Sequence, residues 1–344
     1  MKKSFCIGDR LVGEGQSCYV IAEIGSNHDQ SLSLALDMIS LAAQAGADAV
    51  KFQSILFSQI HNPALESNEL ADWFRAIELD EAWYPELIAR AKQESIEFIS
   101  SPTYPNAVDL LEQQGVRAYK IASPQFQASK PVLSRAAITG KPLIMSVGYA
   151  EYGDIVDSLR VCRQANNQTL VLLHCVSKYP IAPKECNLRF MRTLSAMTGL
   201  PIGFSDHSLG IHMALAAVAL DACIVEKHVT VDRKRNGPDH HFAATFAELS
   251  MMIEQIREIE SGVGDGIRVD LLPEEYLLRE KVVLKAFAKR RLSIGDGLDD
   301  HNVEFRRYSG DALTWGEKKY FPRMHCQTVI ESGGPITWTS VTIA

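Results

Sequence analysis

The chain has 344 residues, enough for one large α/β domain and a small second one, and its 46% hydrophobic and 22% charged residues are ordinary for a globular protein. A formal net charge of −7 without a long basic run argues against nucleic acid or an anionic membrane as a partner. The seven cysteines are scattered without a CxxC pair, and the sequence shows neither a signal peptide pattern nor a run long enough to span a bilayer. We therefore expect a cytoplasmic protein with free thiols.

Eight short apolar runs alternate with helical patterns along most of the chain. The runs are Tyr19–Gly25, Ala49–Gln53, Glu97–Pro102, Ala118–Ser123, Pro142–Gly148, Leu170–Ser177 and two more that end in Ser205-Asp206-His207 and Glu226-Lys227-His228. Repeated strand–helix units predict a parallel sheet, and eight of them predict a closed (β/α)8 TIM barrel. The alternative is an open doubly wound sheet, but no GxGxxG follows the first predicted strand.

The C-terminal part of the chain has a different texture. Residues 266–282 carry glycine, proline and charge, and we interpret them as a linker after a barrel domain over residues 1–265. Residues 283–344 contain short apolar runs separated by turn signals such as SIGDGLDDHN and ESGGP, which are typical of a β-rich module. A module of this size is too small to bury a large hydrophobic core alone. We therefore expect it to pack on the barrel or on a second copy of the chain.

Two histidines stand at the ends of the last two predicted strands. Residues two apart on a strand share a face, so Ser205 lies on the side of His207, and Glu226 on the side of His228. If these strands are parallel neighbours, both histidines and one carboxylate can meet at the end of the barrel where such folds carry their active sites. This set suits a divalent cation such as Zn²⁺, Mn²⁺ or Fe²⁺. The alternative is a pair of structural histidines that cap strands, since neither HxH nor HExxH is present.

Two lysines lie inside apolar strands, Lys51 in AVKFQ and Lys120 in AYKIAS. A buried lysine needs an anionic partner or a shifted pKa, so one alternative is a structural ion pair with Glu23 or Glu226. Another is a Schiff-base lysine of the kind found in barrel aldolases. Two lysines beside several hydroxyls fit a phosphate or carboxylate clamp better than a single imine. The hydroxyls belong to Ser101, Ser123 and Ser146.

One further acidic residue, Asp239, lies in the turn-rich loop RNGPDHH. It could orient a substrate hydroxyl or serve as a base. The alternative is that its side chain forms an Asx turn with its own backbone.

Seven motifs in chain order resemble the N-acetylneuraminate (sialic acid) synthase family. They are IAEIGSNHDQ, GADAVKFQ, KIAS, HCVSKYP, GFSDHSLG, VEKHVT and GPDHH, and the match runs from about Tyr19 to Ile259. The family includes synthases of pseudaminic and legionaminic acids and spore-coat polysaccharide synthase-like proteins. The resemblance implies a TIM barrel followed by a small antifreeze-like (SAF) domain.

The resemblance also implies an activity. The family condenses phosphoenolpyruvate with an N-acetylmannosamine-like sugar and releases phosphate, in surface polysaccharide biosynthesis. It uses a divalent metal, most often Mn²⁺, with Mg²⁺ or Co²⁺ as alternatives. The metal polarises the sugar aldehyde, C3 of phosphoenolpyruvate attacks it, and water adds at C2 before phosphate leaves.

Roles for individual residues follow from the resemblance alone. His207 and His228 are implied as metal ligands. Phosphoenolpyruvate is expected to contact Lys51, Ser101, Lys120, Ser123, Ser146, Ser177 and Ser205. The sugar and its reacting carbonyl are expected to face Gln53 and Tyr179 together with three catalytic acids, Glu23, Glu226 and Asp239.

The resemblance implies a homodimer in which the C-terminal domain covers the partner's active site and an arginine contacts the sugar's N-acetyl group. The candidate is Arg307, with Arg306 next to it, in RRYSG where the family has Arg-Pro-Gly. Other departures are SNHDQ in place of an Asn-Gly after the histidine, SSPTY for Ser-Thr-Pro-Phe, and SVGYA for Ser-Thr-Gly-Met. Two alternatives remain: a barrel synthase that condenses phosphoenolpyruvate with a sugar phosphate, and a degenerate non-catalytic homologue that binds sugar.

Overall fold

The eight predicted strands all form in the structure, a computed structural model that describes residues 3–267 and 270–343. In chain order the strands are β1 Ser4–Ile7, β2 Arg10–Gly13, β3 Tyr19–Glu23, β4 Ala49–Ser54, β5 Glu97–Pro102, β6 Tyr119–Ile121, β7 Leu143–Ser146, β8 Leu170–Cys175, β9 Ile202–Asp206, β10 Ile224–Thr230, β11 Ala244–Thr245, β12 Leu284–Ala288, β13 Val303–Arg307, β14 Met324–Cys326 and β15 Val341–Ile343. The chain divides into two units, Met1–Gly264 and Asp265–Ala344, which we call the barrel unit and the C-terminal unit.

Helices follow the barrel strands as the periodicity predicts. They are α1 Leu32–Gln44, α2 Phe57–Ile60, α3 Asn68–Arg75, α4 Tyr84–Gln93, α5 Pro105–Gln113, α6 Ser123–Gln127, α7 Lys130–Ile138, α8 Tyr152–Gln164, α9 Phe190–Thr198, α10 His212–Ala219, α11 Phe246–Val263 and α12 Pro273–Val282. The predicted ends of the helices agree with the structure to within a few residues, because the side chains that cap a helix lie next to its ends in the sequence. The Ser31 hydroxyl, for example, accepts a hydrogen bond from the Leu34 backbone N–H at the start of α1. None of the described helices has the length and hydropathy needed to cross a bilayer.

The strands β3 to β10 form a parallel barrel in the order β5-β4-β3-β10-β9-β8-β7-β6. Every pairing along this path is parallel. The two end strands, β5 and β6, are in contact but share no hydrogen-bonded ladder among the described residues, so the barrel is nearly closed. The predicted TIM barrel is confirmed, and the open doubly wound alternative is wrong.

The inward-facing side chains change from apolar to polar along the barrel axis. Toward the N-terminal ends of the strands they are Ile21, Ala49, Ile99, Ala118, Ile144, Val171, Leu173 and Ile224, which form one buried cluster. Further along the same faces, toward the C-terminal ends of the eight strands, lie Glu23, Lys51, Ser101, Lys120, Ser146, Cys175, Ser205 and Glu226, all buried. The polar layer therefore begins on top of a closed apolar floor, at the end of the barrel where such folds place their sites.

A hairpin near the start of the chain, which is not among the eight predicted strands, closes the other end of the barrel. Strands β1 and β2 pair in antiparallel register. Their side chains Phe5, Ile7 and Val12 pack into the apolar floor. The sequence does indicate this hairpin: Phe5 and Ile7 alternate with other residues ahead of a turn at Gly8, which has a φ of +59°.

The C-terminal unit has its own small core. Two antiparallel pairs, β12 with β13 and β14 with β15, surround buried residues that include Leu313, Met324 and Ile336. Helix α12 occupies much of the segment 266–282 that the sequence analysis interprets as a linker, although residues 268 and 269 lie outside the described residues. Assignment of this unit to the antifreeze-like fold stays a prediction.

Candidate active site

Fourteen of the residues predicted from the sequence lie at the C-terminal end of the barrel. They are Glu23, Lys51, Gln53, Ser101, Lys120, Ser123, Ser146, Ser177, Tyr179, Ser205, His207, Glu226, His228 and Asp239. One detail of the prediction is wrong: Ser123 is not at a strand end, because β6 stops at Ile121 and Ser123 is the first residue of α6. The fifteenth residue, Arg307, belongs to the C-terminal unit.

A buried ion cluster occupies the polar layer. The Nζ of Lys51 lies 3.0 Å from Glu23 Oε2 and 3.7 Å from Glu226 Oε2, and Lys120 Nζ lies 3.0 Å from Glu226 Oε1. The hydroxyl of Ser205 donates a hydrogen bond to Glu226 Oε1 at 2.9 Å. Both lysines therefore have carboxylate partners, as in the ion-pair alternative, and the cluster holds two positive and two negative groups. Glu226 faces the lysines rather than completing a three-residue metal cluster with the histidines.

The charges shift one another's pKa values in opposite directions. Burial lowers the pKa of Lys120, and the carboxylate of Glu226 offsets this only in part. Burial also acts to lower the pKa of Lys51, but Glu226 and Glu23 together outweigh it and raise that pKa. For Glu226 burial acts to raise the pKa, yet Lys120 and Lys51 hold it at about 2. Since Lys120 has only one near carboxylate, it is the less firmly charged of the two lysines.

Hydroxyl groups form a concave cradle on one side of the site around Gly148. The backbone N–H of Gly148 donates to Ser123 Oγ at 2.9 Å. A Cβ on Gly148 would lie 2.4 Å from Ser177 Oγ and 2.7 Å from Ser123 Oγ, so only glycine leaves this space open. Ser146 Oγ is buried and has no hydrogen-bond partner among the described residues. A buried hydroxyl that lacks a partner among the described residues, beside two buried lysines, suits a bound anion.

Carboxylates gather on the opposite side around Gly25. Gln53 Nε2 donates to Glu23 Oε1 at 2.6 Å, and the Ser26 hydroxyl donates to Asp239 Oδ2 at 3.0 Å. A Cβ on Gly25, whose φ is +55°, would lie 3.2 Å from both Asp239 Oδ2 and Glu23 Oε1. Asp239 thus reaches the site through a contact with Ser26, although 213 residues separate the two in sequence. The Asx-turn alternative does not describe that contact.

The two histidines face each other with ring centroids 5.5 Å apart. Since a carbonyl oxygen can only accept, His207 Nδ1–H donates to the Val176 carbonyl at 2.9 Å and Nε2 is left as a free lone-pair donor. Burial, with a smaller contribution from His228, lowers the pKa of His207 to about 3, so this ring is neutral. The Nδ1 of His228 is buried without a hydrogen-bond partner among the described residues and lies 3.8 Å from Asp239 Oδ2.

These features fit a divalent cation bound by two imidazole nitrogens, with the remaining ligands supplied by water or substrate. No group of three or more His, Cys, Asp or Glu side chains in residues 3–267 and 270–343 is arranged as a complete metal site. The histidine pair would therefore hold a cation with open coordination positions, as catalytic sites require.

Aromatic rings cover the histidines. The ring of Tyr179 lies 4.1 Å from that of His207 between centroids, and Phe242 lies 5.0 Å from His228. Tyr179 is 47% exposed, yet desolvation of its packed side raises the pKa above its ordinary value, so the hydroxyl stays protonated and able to donate a hydrogen bond.

Several residues of the site were missed in the sequence. Ser26, Gly148 and Cys175 lie within IAEIGSNHDQ, SVGYA and HCVSKYP but have no predicted role, although the position of Cys175 two residues after Leu173 on β8 indicates its inward face. Behind the site, Lys227 Nζ lies 2.8 Å from Asp206 Oδ2, and both side chains are fully buried. Their strand positions between inward-facing residues already predict that they point outward, toward the helices.

Two cavities outside this site lie near the N-terminal hairpin. One, of about 990 Å³, is lined by residues that include Gly13, Cys18, Leu220 and Cys223, and the other, of about 830 Å³, by residues that include Arg10 and Arg117. Both lie at the opposite end of the barrel from the ion cluster, and the polar layer does not line them.

Comparison with known proteins shows which family the chain is similar to. A profile described as the NeuB family matches residues 38–268. The N,N'-diacetyllegionaminic acid synthase of Campylobacter jejuni is 37% identical over 305 residues, which cover 84% of this chain and 90% of that protein. The pseudaminic acid synthase of the same species is 32% identical over 304 residues, which cover 85% and 87%. A crystal structure of N-acetylneuraminic acid (sialic acid) synthetase from Leptospira borgpetersenii has a TM-score of 0.74 at 32% identity, over 80% of this chain and 95% of that one.

These matches cover most of the barrel unit and confirm the resemblance seen in the seven motifs. Among these relatives the name of the product differs from protein to protein, while the type of enzyme does not. The chain belongs to the NeuB family and is a carbon–carbon bond-forming enzyme of the synthase type.

Proposed function

We propose that the protein is a cytoplasmic nonulosonate synthase of surface polysaccharide biosynthesis, which condenses phosphoenolpyruvate with an N-acetylmannosamine-like sugar and releases phosphate. The observation that carries the proposal is the pairing, within one barrel end, of a hydroxyl cradle beside two buried lysines with two facing histidines, of which His228 Nδ1 has no hydrogen-bond partner among the described residues. The cradle and the two lysines suit the phosphate and carboxylate of phosphoenolpyruvate. The histidine pair suits a cation next to a sugar aldehyde.

Phosphoenolpyruvate binds on the hydroxyl side of the site in this proposal. The Ser123–Gly148–Ser177 cradle and Ser146 offer neutral donors, and Lys120 and Lys51 supply positive charge. In the structure the lysines are balanced by Glu226 and Glu23. An entering anion competes with these carboxylates for the lysines, so its binding weakens the ion pairs and makes the carboxylates better proton acceptors.

The sugar binds on the carboxylate side, facing Gln53, Tyr179 and the acids. Bound between His207 and His228, a divalent cation, with Mn²⁺ as the first choice and Mg²⁺ or Co²⁺ as alternatives, supplies Lewis acidity to the sugar carbonyl. A new bond joins C3 of phosphoenolpyruvate to the aldehyde carbon, and the aldehyde oxygen takes up a proton. The electrons of the C2=C3 double bond form this bond, so C2 becomes an oxocarbenium; a water adds to C2 and loses one proton to a carboxylate. The C2–O bond to phosphate then breaks while the remaining hydroxyl proton passes to the leaving phosphate, and C2 becomes a carbonyl. In this proposal Glu23 and Asp239, which lie together around Gly25, make the proton transfers.

The direct test is release of phosphate from phosphoenolpyruvate in the presence of Mn²⁺ and a panel of sugars. The panel holds 2-acetamido and 2,4-diacetamido hexoses, each with and without a 6-phosphate, together with arabinose 5-phosphate and erythrose 4-phosphate. We expect turnover with an acetamido sugar and none with the two short sugar phosphates. Turnover with the latter alone would assign the protein to a different class of barrel synthase, and no turnover with any would contradict the proposal.

Gly148→Ala is expected to weaken phosphoenolpyruvate binding by about tenfold or more. The added methyl would fall 2.4 Å from Ser177 Oγ and 2.7 Å from Ser123 Oγ, which fills the cradle and displaces its donors. Isothermal calorimetry with phosphoenolpyruvate measures the loss. Gly153→Ala is the matched control, since a Cβ there meets nothing within 4 Å. Equal affinity in the wild type and in Gly148→Ala would remove the cradle from the proposed site.

The C-terminal unit belongs to the proposal as well: in a homodimer it covers the partner's site, and Arg307 contacts the sugar. Arg307 is exposed and has no ion-pair partner in the described part of the chain, whereas Arg306 pairs with Glu304 at 2.6 Å. We expect Arg307→Ala to raise the KM for the sugar about tenfold, in line with loss of a charge-assisted contact, and to leave phosphoenolpyruvate affinity unchanged. Arg306→Ala is the matched control.

A truncated chain that ends before Val283 tests the same role more severely. It is expected to keep its phosphoenolpyruvate affinity and to lose most of its turnover, because an uncovered site admits water and loosens the sugar. Wild-type kinetics in the truncated protein would contradict a role for the C-terminal unit. A raised KM in Arg306→Ala in place of Arg307→Ala would shift the assignment by one residue.

A further inference from the structure

The carboxylate of Asp239 enters the site from a long connection, residues 231–243, between β10 and β11. Most of this connection has no regular secondary structure. Among the described residues, the Asp239 carboxylate accepts one hydrogen bond, from the Ser26 hydroxyl at 3.0 Å, and approaches His228 Nδ1 to 3.8 Å. Something else must fix the connection, because a catalytic carboxylate has to be held to within a fraction of an ångström to be effective.

Asp29 holds the connection at two points. Its Oδ1 lies 2.8 Å from Nε2 of His240, and its Oδ2 lies 2.5 Å from Nε of Arg235. His240 is fully buried, and its other nitrogen, Nδ1, lies 2.7 Å from Thr230 Oγ1 at the end of β10. Each carboxylate oxygen of Asp29 thus binds a different part of the segment that presents Asp239.

The turn that carries Asp29 is strained. Asp29 and the next residue, Gln30, have φ values of +49° and +55°, a left-handed conformation that costs roughly 1–2 kcal/mol for each residue other than glycine. Contacts on both sides hold the turn in place: Asp29 binds Arg235 and His240, and Gln30 Nε2 donates to the backbone carbonyl of Glu78 at 2.5 Å. Two successive residues in this conformation persist only where surrounding contacts determine them, which is typical of functional loops.

We infer that Asp29 is a positioning residue that acts through His240 to hold Asp239 over the sugar side of the active site. The inference rests on the proposed function, and it assigns Asp29 a part in sugar turnover but none in anion binding. Among residues 3–267 and 270–343, the side-chain partners of Asp29 are confined to the β10–β11 connection, and none belongs to the lysine cluster or to the Ser123–Gly148–Ser177 cradle.

The test compares Asp29→Gly and Asp29→Asn with the wild-type protein. Glycine removes the carboxylate and accepts the left-handed turn without strain, so the variant is expected to fold with little change in melting temperature. We expect kcat with the acetamido sugar to fall about tenfold or more, and the dissociation constant for phosphoenolpyruvate to stay within about twofold. Asparagine keeps a hydrogen-bond acceptor for His240 and should recover part of the activity. Asp109→Asn, which breaks an exposed pair with Arg135, is the matched control.

Hydrogen exchange gives a second readout that does not depend on the reaction. In Asp29→Gly the backbone amides of residues 231–242 are expected to exchange faster, while those of the strands keep their protection. Unchanged exchange, unchanged kcat, or an equal loss of phosphoenolpyruvate affinity would each overturn the inference. If the wild-type protein turns over no sugar in the panel yet the exchange in residues 231–242 still rises in Asp29→Gly, the proposed function fails and the contact between Asp29 and the connection stands.

Discussion

His207→Ala and His228→Ala are each expected to abolish turnover while leaving a folded barrel. His207 uses Nδ1 for the Val176 carbonyl, which leaves the lone pair on Nε2, and His228 Nδ1 has no hydrogen-bond partner in the part of the chain that the structure describes; the two rings lie 5.5 Å apart. Removing either nitrogen removes one of the two proposed protein ligands of the cation. Lewis-acid assistance is worth several kcal/mol, so a fall in kcat of about 10³-fold or more is expected.

The measurement pairs kinetics with a direct metal titration. Mn²⁺ is added to protein stripped with a chelator, and binding is followed by calorimetry for the wild type and both variants. His174→Ala is the control: His174 is also buried, but it points away from the barrel interior and bonds to the Cys186 carbonyl. The His174→Ala substitution should lower the free energy of unfolding without changing the affinity for Mn²⁺. If both site variants kept full activity and still bound metal, the metal-ligand assignment would be wrong and the strand-capping alternative would stand.

Much of the barrel was predictable because its strands carry a strong local signal. Their apolar runs are short and end in polar residues, and the period of two assigns a face to every side chain. The inward face of Lys51 follows from its place between Val50 and Phe52, both of which pack outward against the helices. Given the parallel order, the meeting of Glu23, Lys51 and Glu226 then follows without any knowledge of the fold's relatives.

The contacts that shape the site between loops were not predictable in this way. The partner of Asp239 is Ser26, and the partner of His240 is Asp29, more than 200 residues earlier in the chain. Turn residues such as these show no periodicity, and their pairing depends on how two loops meet after the barrel closes. Ser123 was misplaced for a similar reason: the apolar texture of AYKIAS continues beyond the point where the backbone leaves β6 and starts α6. A pattern of side chains does not show where a ladder of backbone hydrogen bonds stops.

Lys51→Met and Lys120→Met are expected to weaken phosphoenolpyruvate binding far more than sugar binding. Methionine keeps most of the apolar stem of the lysine and removes its charge. The variant therefore loses the charge-assisted contact with the anion. Such contacts are worth about 1.5–3 kcal/mol each, which corresponds to a loss of affinity of roughly 10- to 150-fold. Calorimetry with phosphoenolpyruvate and the KM for the sugar separate the two effects.

Both variants also lose stability, because each leaves a buried carboxylate with fewer partners. Removing one member of a buried pair costs about 3–5 kcal/mol. Lys120 lies nearer to Glu226 than Lys51 does, at 3.0 Å against 3.7 Å, whereas Glu23 keeps its bond from Gln53 when Lys51 is lost. In Lys120→Met, adding Glu226→Gln removes the buried charge that has lost its nearer lysine and should restore part of the stability but not the affinity.

The chain supplies its own control for this loss of stability. Lys227 is fully buried and paired with Asp206 at 2.8 Å, but it lies on the outer face of the barrel. Lys227→Met should therefore lower the free energy of unfolding by a similar amount while leaving phosphoenolpyruvate affinity intact. If all three variants lose affinity in parallel, the loss reports general loosening of the barrel. If only Lys51→Met and Lys120→Met lose it, the two inward lysines bind the anion, because burial and pairing are common to all three and only the face differs.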